Sequence, residues 1–179
     1  MKGIKTTLCF GISLALISFS FASAETGGLV GSEAAKLVSA ETVKLDIKPA
    51  RCPNPLNINS FGLLPVVILG TEDLDVNDVD PATVLLEGIT PAGWHLEDVS
   101  IPVEGGGDPC ECRTGSADGF LDLHLRFPVE ELVETLEAGG PLEDGEVIVL
   151  TLTGMTYDGT SLEGSDCIFV VDKRSLRLR

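Results

Sequence analysis

Aromatic and basic residues are both scarce in this chain. Aromatic side chains make up 5% of its 179 residues, with a single Trp and a single Tyr, so there is little from which to build a stacking platform for bases. Lys and Arg number 12 against 28 Asp and Glu, which gives a formal net charge of −16. Because phosphate contacts need clustered Lys and Arg, the composition argues against nucleic acid and anionic membrane surfaces as partners.

Only the N-terminus carries a long apolar run. Lys2 and Lys5 precede a stretch of 14 apolar and small residues from Leu8 to Phe21, and a small-x-small pattern over residues 22–24 follows it. Spanning a bilayer needs roughly 20 apolar residues, so this run is too short for an anchor. The pattern predicts a signal peptide over residues 1–24. We therefore expect a secreted, periplasmic or cell-envelope protein with no membrane insertion after cleavage.

Four cysteines remain after the predicted cleavage: Cys52, Cys110, Cys112 and Cys167. An even count in an exported chain is typical of disulfides. A bond between Cys110 and Cys112 would close a strained ring over one residue. We expect Cys52 and Cys167 each to pair with one of those two, and both such pairings stay open. Zinc on reduced thiolates is the alternative, which an oxidising compartment disfavours.

The hydrophobic content of 44% excludes a wholly disordered chain. Residues 25–40 are small and polar without a sustained period, which predicts a flexible leader. Apolar and polar residues alternate over residues 43–48 and 120–127, whereas Leu63 to Leu69 is continuously apolar, as in a buried strand. Further short runs predict strands at residues 83–87, 94–99, 146–153 and 167–171.

One helix is predicted among these strands. Residues 129–137 show apolar side chains at helical spacing, with Pro128 before them and Gly139 and Gly140 after them. The whole pattern predicts an all-β fold, an antiparallel Ig-like β-sandwich of about seven strands with one short helix. The domain is expected over residues 41–172, with a basic tail at 173–179.

Several collinear motifs resemble those of a family of exported bacterial and archaeal β-rich modules. The motifs are Leu45–Pro49 (LDIKP), Pro53–Asn57 (PNPLN), Gly62–Thr71 (GLLPVVILGT), Val79–Val84 (VDPATV), Asp118–Leu123 (DGFLDL), Leu152–Gly154 (LTG) and Asp158–Thr160 (DGT). The resemblance covers about residues 43–172 and implies a β-rich module without an assigned activity. Many members carry a dockerin-like calcium loop, which is interrupted in this chain by an insertion from Ser100 to Ala117.

The best ligand candidates are Asp98, Ser116, Asp118 and Asp122. Calcium takes six to eight oxygen ligands, and a disulfide through the insertion could return Asp98 to the side of Asp118. The alternative is an ordinary Asp-Gly turn leading into a strand whose solvent face carries Asp122, His124 and Arg126. Calcium is therefore the one cofactor that the sequence suggests.

A second acidic segment, residues 73–80, imitates the start of an EF-hand. It has Asp78 at the sixth position and Val84 at the twelfth, where an EF-hand requires Gly and Glu. We expect a solvated loop in which Asp80 caps the Asp-Pro turn.

Little in the sequence points to catalysis. The two histidines, His95 and His124, occupy polar-face positions of predicted strands, and no Gly-x-Ser-x-Gly motif is present. We expect an exported, non-catalytic structural or interaction module whose partner is an extracellular protein or glycan. The alternatives are a calcium-dependent binding module and a small hydrolase that uses carboxylates and one of the histidines.

Overall fold

The computed structural model describes residues 40–99, 109–110 and 117–173. This part of the chain is mostly β. Its strands are β1 (Glu41–Thr42), β2 (Leu45–Ile47), β3 (Pro55–Asn57), β4 (Leu63–Ile68), β5 (Leu85–Leu86), β6 (Gly93–Glu97), β7 (Asp122–Pro128), β8 (Val147–Met155) and β9 (Ser161–Val171). Helix α1 (Val129–Glu137) follows β7, and a 3₁₀ turn covers Val76–Asp78. The predicted signal peptide lies outside the described residues, as do nearly all of the predicted leader and tail and most of the insertion.

The strands form two sheets. The first has the order β1-β9-β8-β5, with β3 also paired to β9, and the second has the order β2-β4-β7-β6. Most neighbours are antiparallel, but β1 and β3 both run parallel to β9. The expectation of a purely antiparallel fold is therefore wrong for the first sheet, which is mixed.

Nine strands are present in the described residues, where the sequence predicted about seven. The two extra strands are β1 and β3, which have two and three residues. Segments this short cannot display the alternation from which strands are predicted. They form strands because the N-terminal part of the domain pairs with β9. This pairing joins residues far apart in sequence, so a local pattern does not reveal it.

A single hydrophobic core lies between the two sheets. Both sheets contribute to one contiguous cluster of buried residues, and the helix adds to it. Its largest fully buried side chains are Phe127, Leu45, Ile47, Leu56, Leu64, Ile68, Leu86, Leu123, Leu125, Leu132 and Leu150. Burial of apolar area on this scale is the main term that stabilises a domain of this size.

Strand β4 tolerates a proline because β2 is shorter than β4. Pro65 lies within β4 opposite Arg126 of β7. Its carbonyl accepts the N–H of Lys48, just after β2 ends at Ile47. The N–H that proline lacks would point to this same side, toward Lys48, whose carbonyl instead accepts the N–H of Arg51.

Helix α1 spans the predicted residues, and Pro128 is its N-cap. The described residues contain no helix with the length and apolar content needed to cross a membrane. Val129, Leu132 and Val133 are buried, which accounts for the apolar face of the helix as core packing.

The disulfide expectation is confirmed for one bond. Cys110 is bonded to Cys167 on β9, at a sequence separation of 57. Cys52 is also disulfide-bonded, and Cys112 lies outside the described residues. Of the two pairings that the sequence left open, the Cys110–Cys167 bond is compatible only with the one that joins Cys52 to Cys112.

Candidate functional site

The structure brings two of the four calcium candidates together. The Asp98 carboxylate follows β6 and accepts the backbone N–H groups of Asp118 at 3.0 Å and Gly119 at 2.8 Å. The Asp118 carboxylate in turn accepts the N–H of Phe120 at 3.0 Å. Asp98 thus closes the ends of the insertion, as the calcium hypothesis requires. Ser116 lies outside the described residues.

The third candidate, Asp122, has a different environment from the one expected. The prediction that it lies on a solvated face is wrong, because its side chain is fully buried. Its two oxygens accept the N–H groups of Gly70 and Val99, each at 2.9 Å. These amides follow the ends of β4 and β6, so the carboxylate replaces partners that the sheet ladder no longer supplies. Asp122 ties both neighbouring strands to β7.

Gly70 is required for this close approach. A Cβ atom at this position would lie 2.1 Å from the carbonyl oxygen of Leu121, a distance at which atoms overlap. The glycine lets the backbone after β4 come within hydrogen-bonding distance of Asp122. The hydrogen bond between Gly70 and the buried Asp122 therefore depends on both residues.

An acidic groove of about 520 Å³ lies beside Asp118. The carboxylates among its lining residues are Glu41, Glu72, Asp73 and Asp118, and Lys44 also lines it. Such a groove attracts cations through its summed charge.

The second acidic segment is a loop, as expected. The Asp75 carboxylate caps the 3₁₀ turn by accepting the backbone N–H of Asn77 at 2.9 Å, and this bond is the main cause that lowers the pKa of Asp75. Asp80 accepts the N–H of Ala82 at 3.0 Å, which is the cap predicted for the Asp-Pro turn. Both carboxylates act as turn caps.

The two histidines meet on the outer face of the second sheet. His95 on β6 is directly opposite His124 on β7, and their ring centroids are 4.7 Å apart. Glu97 lies two residues beyond His95 on the same face of β6, and its Oε2 is 3.4 Å from His95 Nε2. One ligand atom from each of the three residues lies within 4.8 Å of the others.

His124 has an unusual environment for a polar side chain. Its Nε2 atom is buried, and among the described residues it has no hydrogen-bond partner. Burial lowers the pKa of His124, and the electrostatic influence of His95 lowers it further, whereas Glu97 and Asp122 oppose the shift. A histidine held neutral in this way keeps a nitrogen lone pair available to an electrophile.

The sequence shows which of these residues share a face of each strand, but it does not show that the two strands are neighbours. His95 and Glu97 share a face by period two, and so do Asp122 and His124. The pairing register of β6 with β7 brings these two pairs together. Register depends on the connection between the strands, and here that connection contains the insertion.

Another buried carboxylate lies at the edge between the sheets. Asp166 on β9 accepts the N–H of Ile47 on β2 at 2.7 Å and the side-chain amide of Asn54 at 3.2 Å. A small cavity of about 180 Å³ adjoins it and is lined also by Cys110 and Cys167. Asp166 therefore links the two sheets next to the disulfide.

Comparisons of the chain with protein-family models, with curated proteins and with solved structures found no match.

Proposed function

We propose that this chain is an exported, disulfide-stapled Ig-like β-sandwich module with a non-catalytic structural or interaction role outside the cytoplasm. The observation that carries the proposal is the strand order of the two sheets. The order β2-β4-β7-β6 corresponds to strands A-B-E-D of an immunoglobulin constant-type domain, and β9-β8-β5 corresponds to G-F-C. In this assignment, β1 and β3 add short parallel edges beside strand G.

The use of the acidic side chains supports a structural role. Asp98, Asp122 and Asp166 each accept backbone N–H groups that link separate segments of the chain. Carboxylates engaged in this way stabilise loops and strand ends. The Cys110–Cys167 bond adds a covalent link of the kind that small exported domains use.

The test is to express the full chain in a bacterium and to analyse the extracytoplasmic fraction. We expect a mature N-terminus at Glu25 and a Cys52–Cys112 bond beside Cys110–Cys167. Cleavage after Glu111 separates the two neighbouring cysteines, so mass spectrometry of unreduced peptides distinguishes the pairings. The control variant Ala24→Leu removes the small residue at the cleavage site and should retain the signal peptide.

Cytoplasmic protein that still begins at Met1 and has all five cysteines as free thiols would overturn the export proposal. A Cys52–Cys110 bond would overturn the pairing alone. Turnover of an ester, peptide or glycoside by the purified module would overturn the non-catalytic role and would favour the hydrolase alternative.

A calcium-dependent binding module is the second candidate, and the proximity of Asp98 to Asp118 favours it. The acidic groove beside Asp118 supplies further carboxylates within the same region. Calcium that binds only the folded state raises the melting temperature by mass action, with about 2.7 kcal/mol of stabilisation at a hundredfold excess over Kd. The protein for this experiment is the oxidised mature chain, melted with calcium and with chelator.

The matched variants are Asp118→Ala and Asp78→Ala. We expect Asp118→Ala to abolish the calcium-induced rise and Asp78→Ala to leave it unchanged, since Asp78 lies in the loop capped by Asp75. Equal melting temperatures with calcium and with chelator would eliminate this candidate and leave the structural module.

A further inference from the structure

We infer that His95, Glu97 and His124 form a binding site for a divalent transition-metal ion of the zinc and copper class. The three side chains offer two imidazole nitrogens and one carboxylate oxygen, and these atoms lie within 4.8 Å of one another. None of these three residues is among the calcium candidates, and the inference does not depend on the module's role.

The donor types decide which metal fits. Imidazole suits zinc, copper and nickel, whereas calcium and magnesium prefer oxygen ligands alone. Two histidines and one glutamate are also a known ligand set for zinc sites that keep one coordination position open. Such a position accepts water or a donor atom from another molecule, so bound metal here would be exchangeable.

The spacing is close to what a metal requires. Zinc bonds of about 2.0–2.1 Å in tetrahedral geometry place neighbouring donors about 3.3 Å apart. His95 Nε2 and Glu97 Oε2 already lie 3.4 Å apart. Their side chains are 47% and 61% exposed on β6, the edge strand of its sheet. Rotation of these two side chains can close the remaining distance to His124 without moving the sheet.

The buried Nε2 atom of His124 is the second observation that points to a ligand. A buried polar atom without a partner costs free energy, and native structures seldom leave one. A metal ion would satisfy this nitrogen. The negative charges of Glu97 and of Asp122, which pairs with it, would balance the charge of the ion. The positively charged Arg126 lies on the other side of His124 from Asp122, opposite Gly93.

The chain's histidine content makes the site easy to test. His95 and His124 are its only histidines, so any imidazole-dependent metal binding must occur here. The experiment uses the oxidised mature protein without a polyhistidine tag, treated with chelator and then titrated with Zn²⁺ at neutral pH. Calorimetry gives the stoichiometry and affinity, and imidazole NMR signals report each histidine separately.

We expect one Zn²⁺ to bind per chain and to shift the signals of both histidines together, whereas Ca²⁺ should shift neither. His95→Gln and Glu97→Gln should each weaken zinc binding by at least about tenfold, because even the loss of an outer-shell partner lowers metal affinity about 10- to 100-fold. The matched control is Glu163→Gln, an exposed glutamate on β9 of the other sheet, which should leave zinc affinity unchanged.

Three results would overturn the inference. They are the absence of zinc binding to the wild-type protein, a response of one histidine alone, and unchanged affinity in His95→Gln. Because His95 is exposed and lies on an edge strand, its substitution tests the site without disturbing the core.

Discussion

Three aspartates hold the backbone of this domain at places where regular pairing stops. Asp98, Asp122 and Asp166 each accept two backbone N–H groups. Hydrogen bonds to an ionised acceptor are shorter and stronger than neutral ones. In a chain with 28 acidic residues, these three differ from the turn-capping carboxylates because each accepts two backbone N–H groups, at least one of them from a distant segment.

Asp122→Asn should destabilise the protein strongly even though it preserves side-chain shape. The asparagine side chain keeps one acceptor oxygen for either Gly70 or Val99. Its NH₂ group replaces the other carboxylate oxygen and cannot accept the second backbone N–H. Loss of the charge and of one buried bond predicts a decrease of about 2–4 kcal/mol in the free energy of unfolding. The measurement is urea denaturation of oxidised protein at neutral pH.

The matched control for this substitution is Asp73→Asn in an exposed loop. Surface changes of this kind alter stability by about 0.5 kcal/mol or less. Equal urea midpoints for the Asp122 and Asp73 variants would show that the buried carboxylate does not hold the strand ends.

At the residue scale, alternation predicted the direction of Asp122 but not its burial. The carboxylate does point away from the core, as do His124 and Arg126. It is buried because the backbone after β4 and after β6 reaches it, and those contacts join residues 52 and 23 positions apart. A local pattern carries no information on such contacts, so the His95 and His124 pairing was not predicted either.

At the element scale, the predictable elements are those with a strong local period. Helix α1 lies where its apolar spacing and flanking Pro and Gly residues placed it, and the long strands β4 and β7 lie within two residues of their predicted bounds. Asp158-Gly159 is a dipeptide typical of tight turns, and β8 and β9 join there as an antiparallel pair.

The shortest strands depend on their neighbours instead. Strands β1 and β3 exist through parallel pairing with β9. Gly164 permits part of this packing, since a Cβ atom there would lie 2.7 Å from the carbonyl oxygen of Val43. The long β9 strand organises these segments, and a propensity argument applied to them alone cannot find them.

Two links hold the described residues at the ends of the insertion and within it. Asp98 closes its two ends through the backbone of Asp118 and Gly119, and Cys110 fastens it to β9 of the other sheet. A cross-link over 57 residues restricts the unfolded chain and contributes about 4 kcal/mol in the chain-entropy account. The sequence predicted the disulfide tether and offered the return of Asp98 as part of the calcium hypothesis, but it left open which cysteine reaches Cys167.

At the scale of the whole molecule, the excess of acidic groups makes acid the condition that tests the fold most directly. Protonation removes negative charge and so relieves repulsion within a chain of net charge −16. It also removes the ionised acceptors that cap turns. Which effect dominates depends on the carboxyls whose pKa is lowered in the folded state.

Asp75 and Asp158 are two such carboxyls. The amide groups of Asn77 lower the pKa of Asp75, and the Thr156 hydroxyl, followed by the Thr160 N–H, lowers the pKa of Asp158. The unfolded chain therefore binds protons more readily than the folded chain at acidic pH. The stability that these groups contribute is complete above the ordinary aspartate pKa of about 3.9 and is lost as the pH falls through the lower folded values.

The double variant Asp75→Asn/Asp158→Asn should accordingly respond less to acid than the wild-type protein. Asn keeps an acceptor oxygen for both turns but does not bind a proton at acidic pH. The free energy of unfolding of the double variant should therefore fall less than that of the wild type between about pH 5 and pH 2. Urea midpoints measured across that range give the two slopes, and Asp73→Asn should retain the wild-type slope. Parallel slopes for the double variant and the wild type would mean that acid destabilises the fold through other carboxyls. The buried Asp122 and Asp166 would then be the next residues to replace.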